Sequence, residues 1–268
     1  MIALDIVRGE RPLLVSLPHT GTQIPAEIAD TLVSLPLALN DTDWWIDTLY
    51  DFALHLGATV IRTHISRTVI DVNRDPSGVS LYPGQATTEL CPLTSFDGTP
   101  LYKPGMEPDA AEIARRQKHW FDPYHAAIAA ELARLRENHE TVVLYDCHSI
   151  RSVIPRLFDG ELPVFNIGTN SGASCAPELQ HIVETACEQS GFSHVTNGRF
   201  KGGWITRNNG RPESGIHAVQ MEIACRGYMD EHDAYEPAAY DAKRAAPMRA
   251  VLEKLFSAIL HWAEAPRS

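Results

Sequence analysis

The stretch TVVLYDCHS, residues 141–149, is an apolar run that ends in an acid, a histidine and a serine. A short apolar run flanked by helical and polar segments reads as a buried strand, here over 141–146. His148 then falls at its carboxyl end. The run LLVSL (13–17) leads in the same way into SLPHTG, which puts His19 at the end of a second buried strand.

Working outward, 109–138 has helical periodicity with a break near Pro123, and Asp41 to Leu56 predicts a helix with Asp41 as N-cap and Gly57 as the residue that stops it. ATVIRT (58–63) and TVIDV (68–72) read as strands. PVFNIGT (163–169), SHVTN (193–197) and HAVQMEIA (217–224) read likewise, with helices near 177–189 and 238–263. This alternation predicts a three-layer α/β/α fold with a largely parallel mixed sheet, as a single domain over 1–268. The Gly/Pro-rich stretch 75–108 reads as a lid-like loop.

Ligands of such sheets gather at the carboxyl ends of the strands. Two histidines there can share a divalent cation, although either alone is equally a hydrogen-bonded turn residue. A hydrolytic cation site takes a third protein ligand, usually His or carboxylate, and leaves one position for water. NDTDWW offers that carboxylate. The division made here is Asp41 as cap and Asp43 as ligand, with Asp47 left open, and Asp146 as a group that orients a ligand. In HAVQMEIA, alternation puts Gln220, Glu222 and Ala224 on one face. A partly buried Glu222 has a raised pKa, suited to moving a proton between water and a leaving group. Arg67, Asn73 and Arg74 in SRTVIDVNRDP, with Arg199, Lys201 or Arg207 in GRFKGGWITRNNGRP, are candidates for carboxylate binding. The glycine-rich segment lacks the spacing of a phosphate loop.

A formal charge of −11, from 23 Lys+Arg against 34 Asp+Glu, argues against nucleic acid as a partner. The five scattered cysteines form no C-x-x-C pair and read as reduced thiols in a cytoplasmic protein. The N-terminus has no signal-peptide pattern, and no run approaches the roughly 20 apolar residues that span a bilayer. Oligomeric state is not legible.

In order from about Pro12 to Glu231, SLPHTG, DTDWW, SRTVIDVNRDP, LYPGQATTELCPLTSFDGTPLY, DCHSIRSVIP, NGRFKGGWITR and HAVQMEI closely resemble the N-formylglutamate amidohydrolase family. The resemblance implies hydrolysis of N-formyl-L-glutamate to formate and L-glutamate, a step of histidine degradation. The family is in turn similar to zinc-dependent exopeptidases and to aspartoacylase and succinylglutamate desuccinylase enzymes, whose substrate-binding Asn-Arg pair matches Asn73–Arg74. Those relatives carry a Glu ligand three residues after the first histidine. Here that position is Thr22, so the carboxylate ligand has moved.

The resulting expectation is one zinc ion on His19, Asp43 and His148, Glu222 as general base, and Arg67 stabilising the oxyanion. Asn73, Arg74 and one of Arg199 or Arg207 hold the small-molecule substrate. The alternatives are a related N-acyl amino acid deacylase, metal-free catalysis by Ser149, for which the G-x-S-x-G elbow is missing, and a non-enzymatic protein that binds acidic amino acids.

Overall fold

The strand β4 (Val142–Ile150) is buried at all nine positions. It can be, because strands flank it on both sides and helices cover both its faces. β2 (Leu13–Leu17) and β7 (Ile216–Ala224) run parallel to it as its two neighbours. Outside β2 lies β3 (Thr59–Thr63), parallel, and then β1 (Leu4–Val7), antiparallel. Outside β7 lies β5 (Phe165–Gly168), antiparallel, paired in parallel with β6 (His194–Thr196). The order is β1-β3-β2-β4-β7-β5-β6, a mixed sheet with four parallel strands at its centre. The computed structural model describes residues 3–81, 83–232 and 235–266.

The helices are α1 (Ala26–Ala29), α2 (Leu35–Ala38), α3 (Ile46–Leu49), α4 (Phe52–His55), α5 (Ala110–Arg116), α6 (Asp122–Arg136), α7 (Pro177–Glu188), α8 (Trp204–Asn209) and α9 (Ala242–Glu264). On one face of the sheet, Leu13, Val15, Val143, Tyr145, Val219 and Met221 pack with apolar residues of α3, α4, α7 and α9. On the other, Leu14, Leu144 and Ala218 pack with Ile128, Leu132 and Leu135 of α6 and with Ile205 of α8. This is the expected three-layer α/β arrangement. Among the described residues no helix is long and apolar enough to cross a membrane, and all five cysteines are buried and unpaired.

The second face changes chemistry part-way along. On β4, Val142 and Leu144 lie in the apolar cluster, Asp146 and His148 follow with the same alternation, and Ile150 ends the row in another apolar cluster. On β7, Ala218 is followed by Gln220, Glu222 and Ala224 in the same pattern. The register sets Asp146 beside Gln220 and His148 beside Glu222. Four polar side chains therefore occupy one patch between two apolar ends, where burial is costly unless each finds a partner.

Three local expectations are corrected. Residues 41–56 do not form one helix: α3 and α4 are single turns, and Asp41 caps neither. Trp45, at φ 62, adopts a left-handed conformation that a helix cannot propagate, two residues after the inward-facing Asp43. The segment 68–72 is not a strand. Its backbone forms successive turns, with Val69 N–H bonded to the Ser66 carbonyl and Arg74 N–H to the Asp71 carbonyl. Its apolar side chains Val69, Ile70 and Val72 are all buried, so the alternation that suggested a strand has no exposed face behind it. Finally, β4 extends past 146, so His148 lies within the strand instead of after it.

The break near Pro123 is present. A π-helical turn, Gln117–Phe121, separates α5 from α6 and places the proline in the first turn of α6, where its missing N–H is tolerated. Gly57 ends α4 with φ 78, and α9 starts at Ala242 behind an Asp241 cap. Within 75–108, Leu90 and Cys91 join the α6-side core, and Leu101 and Tyr102 pack on Leu32 and Leu37.

Candidate active site and metal centre

β2 delivers His19 and β4 delivers His148 to the same point. Their Nδ1 atoms are 3.1 Å apart. The Asp43 carboxylate reaches both, with Oδ2 at 3.2 Å from His148 Nδ1 and 3.6 Å from His19 Nδ1. The loop is tied in place by its backbone, since Asp43 N–H donates to the His19 carbonyl at 3.0 Å. Among the described residues this is the one group of three such side chains whose ligand atoms lie within 4.8 Å of one another, and all three are buried.

The far side of each imidazole explains why these atoms face inward. His19 Nε2 is 2.8 Å from Asp71 Oδ1, and His148 Nε2 is 2.8 Å from Asp146 Oδ2. In the tautomer that puts each Nε2 proton on its carboxylate, an acceptor only, each Nδ1 presents a lone pair to the shared point. Two lone pairs and a carboxylate oxygen converging in a buried space repel one another unless a cation sits among them. The donor set, two imidazoles and one carboxylate, is that of a divalent cation with open positions for water or substrate.

The electrostatics agree. Burial pushes the Asp43 carboxyl up, but the two imidazoles beside it and the nearby Arg67 outweigh burial and hold the group below the usual carboxylate range. Asp71 is held well below that range despite its burial, by His19, Arg74 and Arg67. His148 is raised well above the ordinary imidazole value: burial opposes its charge, and Asp146, Asp43 and Glu222 override burial. Asp43 and Asp71 are therefore held ionised, and the carboxylates around His148 favour positive charge there.

Glu222 stands beside His148 on the neighbouring strand. Burial raises its carboxyl to about 7, with His148 and Arg67 pulling the other way. Both face a cleft of about 560 Å³, open space included, which His19, Arg67, Asn73, Arg74, Arg199 and Gln220 also line. Its apolar walls include Phe96, Leu157 and Phe200. Arg67 is fixed by Asp71 at 2.8 Å and Asp43 at 3.3 Å, with its guanidinium stacked over the Phe96 ring. Arg74 bonds the Thr88 carbonyl and hydroxyl, and Arg199 the Leu157 and Ala86 carbonyls. An acidic protein thus gathers three guanidinium groups around one cleft, where local field outweighs net charge.

Of the two other expected substrate ligands, Asn73 lines the cleft and Arg207 does not. Both polar atoms of Asn73 are engaged inside the protein: Nδ2 donates to Asp146 Oδ2 at 3.3 Å, and Oδ1 accepts from Ile205 N–H at 2.8 Å. Gly203 is required beside it, because a Cβ there would lie 2.5 Å from the Asn73 amide. Arg207 donates to the Gly202 carbonyl and is not among the cleft-lining residues. Of the open carboxylates, Asp41 accepts from Phe96 N–H and Asp47 from Arg62, so neither reaches the imidazoles. Ser149 points away from the cleft and lines a neighbouring cavity, its hydroxyl bonded to Tyr228.

Asp71 went unnoticed in the sequence because TVIDV read as a strand. Ser16 was missed inside an apolar run. It donates to Asp146 Oδ1 at 2.7 Å and also meets the Tyr124 hydroxyl. The signal available for Asp71 was its place two residues before Asn73–Arg74.

Fold and site together define an α/β protein with a buried His–Asp–His cluster that could hold a cation, at the carboxyl ends of central strands and opening on an arginine-lined cleft. Residues 11–229 match the family model described as N-formylglutamate amidohydrolase, and the chain belongs to that family. It is 50% identical over 260 residues to an N-formylglutamate deformylase of Pseudomonas aeruginosa, covering 97% of this chain and 96% of the relative. A Pseudomonas putida protein of the same name is 48% identical over the same shares of each chain. The crystal structure of an N-formylglutamate amidohydrolase from Ralstonia eutropha has the same fold, with a TM-score of 0.81 at 23% identity over 98% of this chain and 99% of that one. A gene product of Agrobacterium tumefaciens shares the fold at TM-score 0.72 and 18% identity, over 96% and 93%.

Proposed function

We propose that this protein hydrolyses N-formyl-L-glutamate to formate and L-glutamate, using one divalent cation, zinc, held by His19, Asp43 and His148. The observation that carries the reading is the meeting of three buried ligand atoms beside Glu222 in a cleft lined with arginines. The names of relatives about half identical over nearly their whole length support the substrate.

When bound, the cation supplies Lewis acidity toward the formyl carbonyl and acidifies water. Glu222 takes the proton from the attacking water and returns it to the departing nitrogen, a double duty suited to a carboxyl near pKa 7. Arg67 stays charged: burial disfavours its cation, but Asp71, Asp43 and Asp41 outweigh burial. It offers positive charge beside the developing oxyanion. Arg74 and Arg199 hold the two carboxylates of the glutamate part, and the Phe96, Leu157 and Phe200 walls exclude water around it. Asn73 acts as a strut that fixes Asp146 and the start of α8. Binding so remote from a one-carbon acyl group is what orients the bond to be broken.

The direct test is formate release from N-formyl-L-glutamate by protein stripped with a chelator and then restored with zinc. Activity is expected to vanish on stripping and return on restoration. Full activity after exhaustive stripping sinks the metal reading, and tight glutamate binding without formate release favours a binding protein. Arg74→Ala is expected to lower kcat/KM for N-formyl-L-glutamate about tenfold or more, a charged hydrogen bond's worth. N-formyl-L-alanine, which lacks the side-chain carboxylate, is expected to lose less with Arg199→Ala than N-formyl-L-glutamate does. Equal losses for both substrates from both variants remove the cradle assignment.

A further inference from the structure

We propose that Tyr228 is a positioning residue for the cation centre: its hydroxyl ties the loop that carries Asp43 to the end of the strand that carries His148. The inference rests on the metal reading above and concerns the protein's own framework.

Tyr228 is completely buried, and its hydroxyl lies 2.7 Å from the Trp44 carbonyl and 2.8 Å from Ser149 Oγ. A carbonyl only accepts, so the single phenolic proton goes to Trp44, and the Ser149 hydroxyl must donate to the tyrosine oxygen. Trp44 follows Asp43, and Ser149 follows His148. Ser149 N–H in turn donates to Asp43 Oδ2 at 3.2 Å, the same oxygen that faces both imidazoles. One hydroxyl therefore links the two segments flanking two of the three ligands.

The Asp43 loop needs such a tie. Trp45 holds φ 62, an uncommon conformation for a bulky residue, and it persists only where surrounding bonds enforce it. Three bonds do so: Trp45 Nε1 to the Ala238 carbonyl at 2.9 Å, Asp43 N–H to His19, and Tyr228 to Trp44. His148 has its own anchor in Asp146, and His19 has one in Asp71. The Asp43 carboxylate is instead held from two sides, Oδ1 by Arg67 at 3.3 Å and Oδ2 by Ser149 N–H at 3.2 Å. Separating the strand end from the loop loosens the second hold and turns the carboxylate toward Arg67, away from the imidazoles.

The test compares zinc affinities of stripped proteins by equilibrium competition with a chromophoric chelator. Tyr228→Phe keeps the ring and removes only the hydroxyl. It is expected to weaken zinc binding roughly tenfold or more, the usual effect of losing an outer partner of a metal ligand. At saturating zinc, kcat recovers and KM is unchanged. Ser149→Ala leaves the bond to Trp44 intact and weakens zinc binding less. The double variant is no weaker than Tyr228→Phe alone, because the two act in one chain. Phe256→Leu, in the core cluster shared with Tyr228, lowers the melting temperature without changing zinc affinity.

If Tyr228→Phe and Ser149→Ala both bind zinc within twofold of the parent, the role is packing alone and the proposal is overturned. Should Tyr228→Phe fail to fold, Ser149→Ala decides by itself. A parent protein that binds no zinc overturns the metal reading instead, a result distinguishable from parent and variants binding alike.

Discussion

Glu222→Gln is expected to lower kcat by about 10²- to 10⁴-fold, the usual contribution of a positioned general base, with a much smaller change in KM. The variant keeps the shape and hydrogen-bonding capacity of the side chain and removes only its ability to take up a proton. The base must be ionised to accept one, so in the parent kcat/KM climbs as pH rises through about 7, where burial has placed this carboxyl, and then levels. The residual activity of the variant lacks that limb. A stability effect of opposite sense accompanies it. The folded-state pKa of Glu222 lies above the ordinary glutamate value, so between the two the folded protein holds a proton that the unfolded chain has lost. Stability therefore falls as pH rises across that window. Cation-free Glu222→Gln should melt higher than the parent at pH 8 and about equally at pH 4. A pH–rate profile and two melting curves check both. Unchanged kcat, or an acid limb that survives the substitution, removes Glu222 as the base.

The parts of this centre that were legible in the sequence lie on strands. Period-two alternation fixes which side chains share a face, so Glu222 was placed with Gln220, and the apolar runs before His19 and His148 placed both imidazoles at the sheet's ligand-binding edge. What was not legible lies on turns. TVIDV has the residue types of a strand, but all its apolar side chains are buried and its backbone turns, which brings Asp71 to His19, Arg67 and the Asn73 N–H at once. No periodicity marks such a residue, because its role comes from where three separate segments meet. Tyr228, in the turn after β7, escapes for the same reason, whereas Ser16 lies on β2 and escapes as a lone hydroxyl inside an apolar run. The choice between Arg199 and Arg207 was likewise beyond the sequence. Both flank the same glycines, and only the path of the chain takes one to the cleft and the other to the Gly202 carbonyl.

NDTDWW and the Asp47 one turn beyond it offer three candidate carboxylates, of which the sequence favours Asp43, and their environments predict three different outcomes. Asp43→Asn is expected to abolish measurable zinc binding at micromolar metal and to lower kcat/KM by about 10³-fold, the loss of several kcal/mol of Lewis-acid stabilisation. Asp47 forms an ion pair with Arg62 at the partly exposed surface, so Asp47→Asn should leave zinc affinity and activity within about twofold. Asp41 is partly buried, which raises its carboxyl, and it accepts from Phe96 N–H and pairs with Arg151. Asp41→Asn should leave stability at neutral pH unchanged or slightly raised, and the stripped protein should still take up one zinc ion. The acid side of the stability curve separates Asp43 further. Its folded-state carboxyl is held below the unfolded value, so its contribution is present above about pH 4 and is lost as pH falls. In cation-free protein, Asp43→Asn should flatten that acid dependence. Full zinc affinity in Asp43→Asn, with loss in Asp41→Asn, would move the third ligand two residues upstream and require the loop at Trp45 to be redrawn.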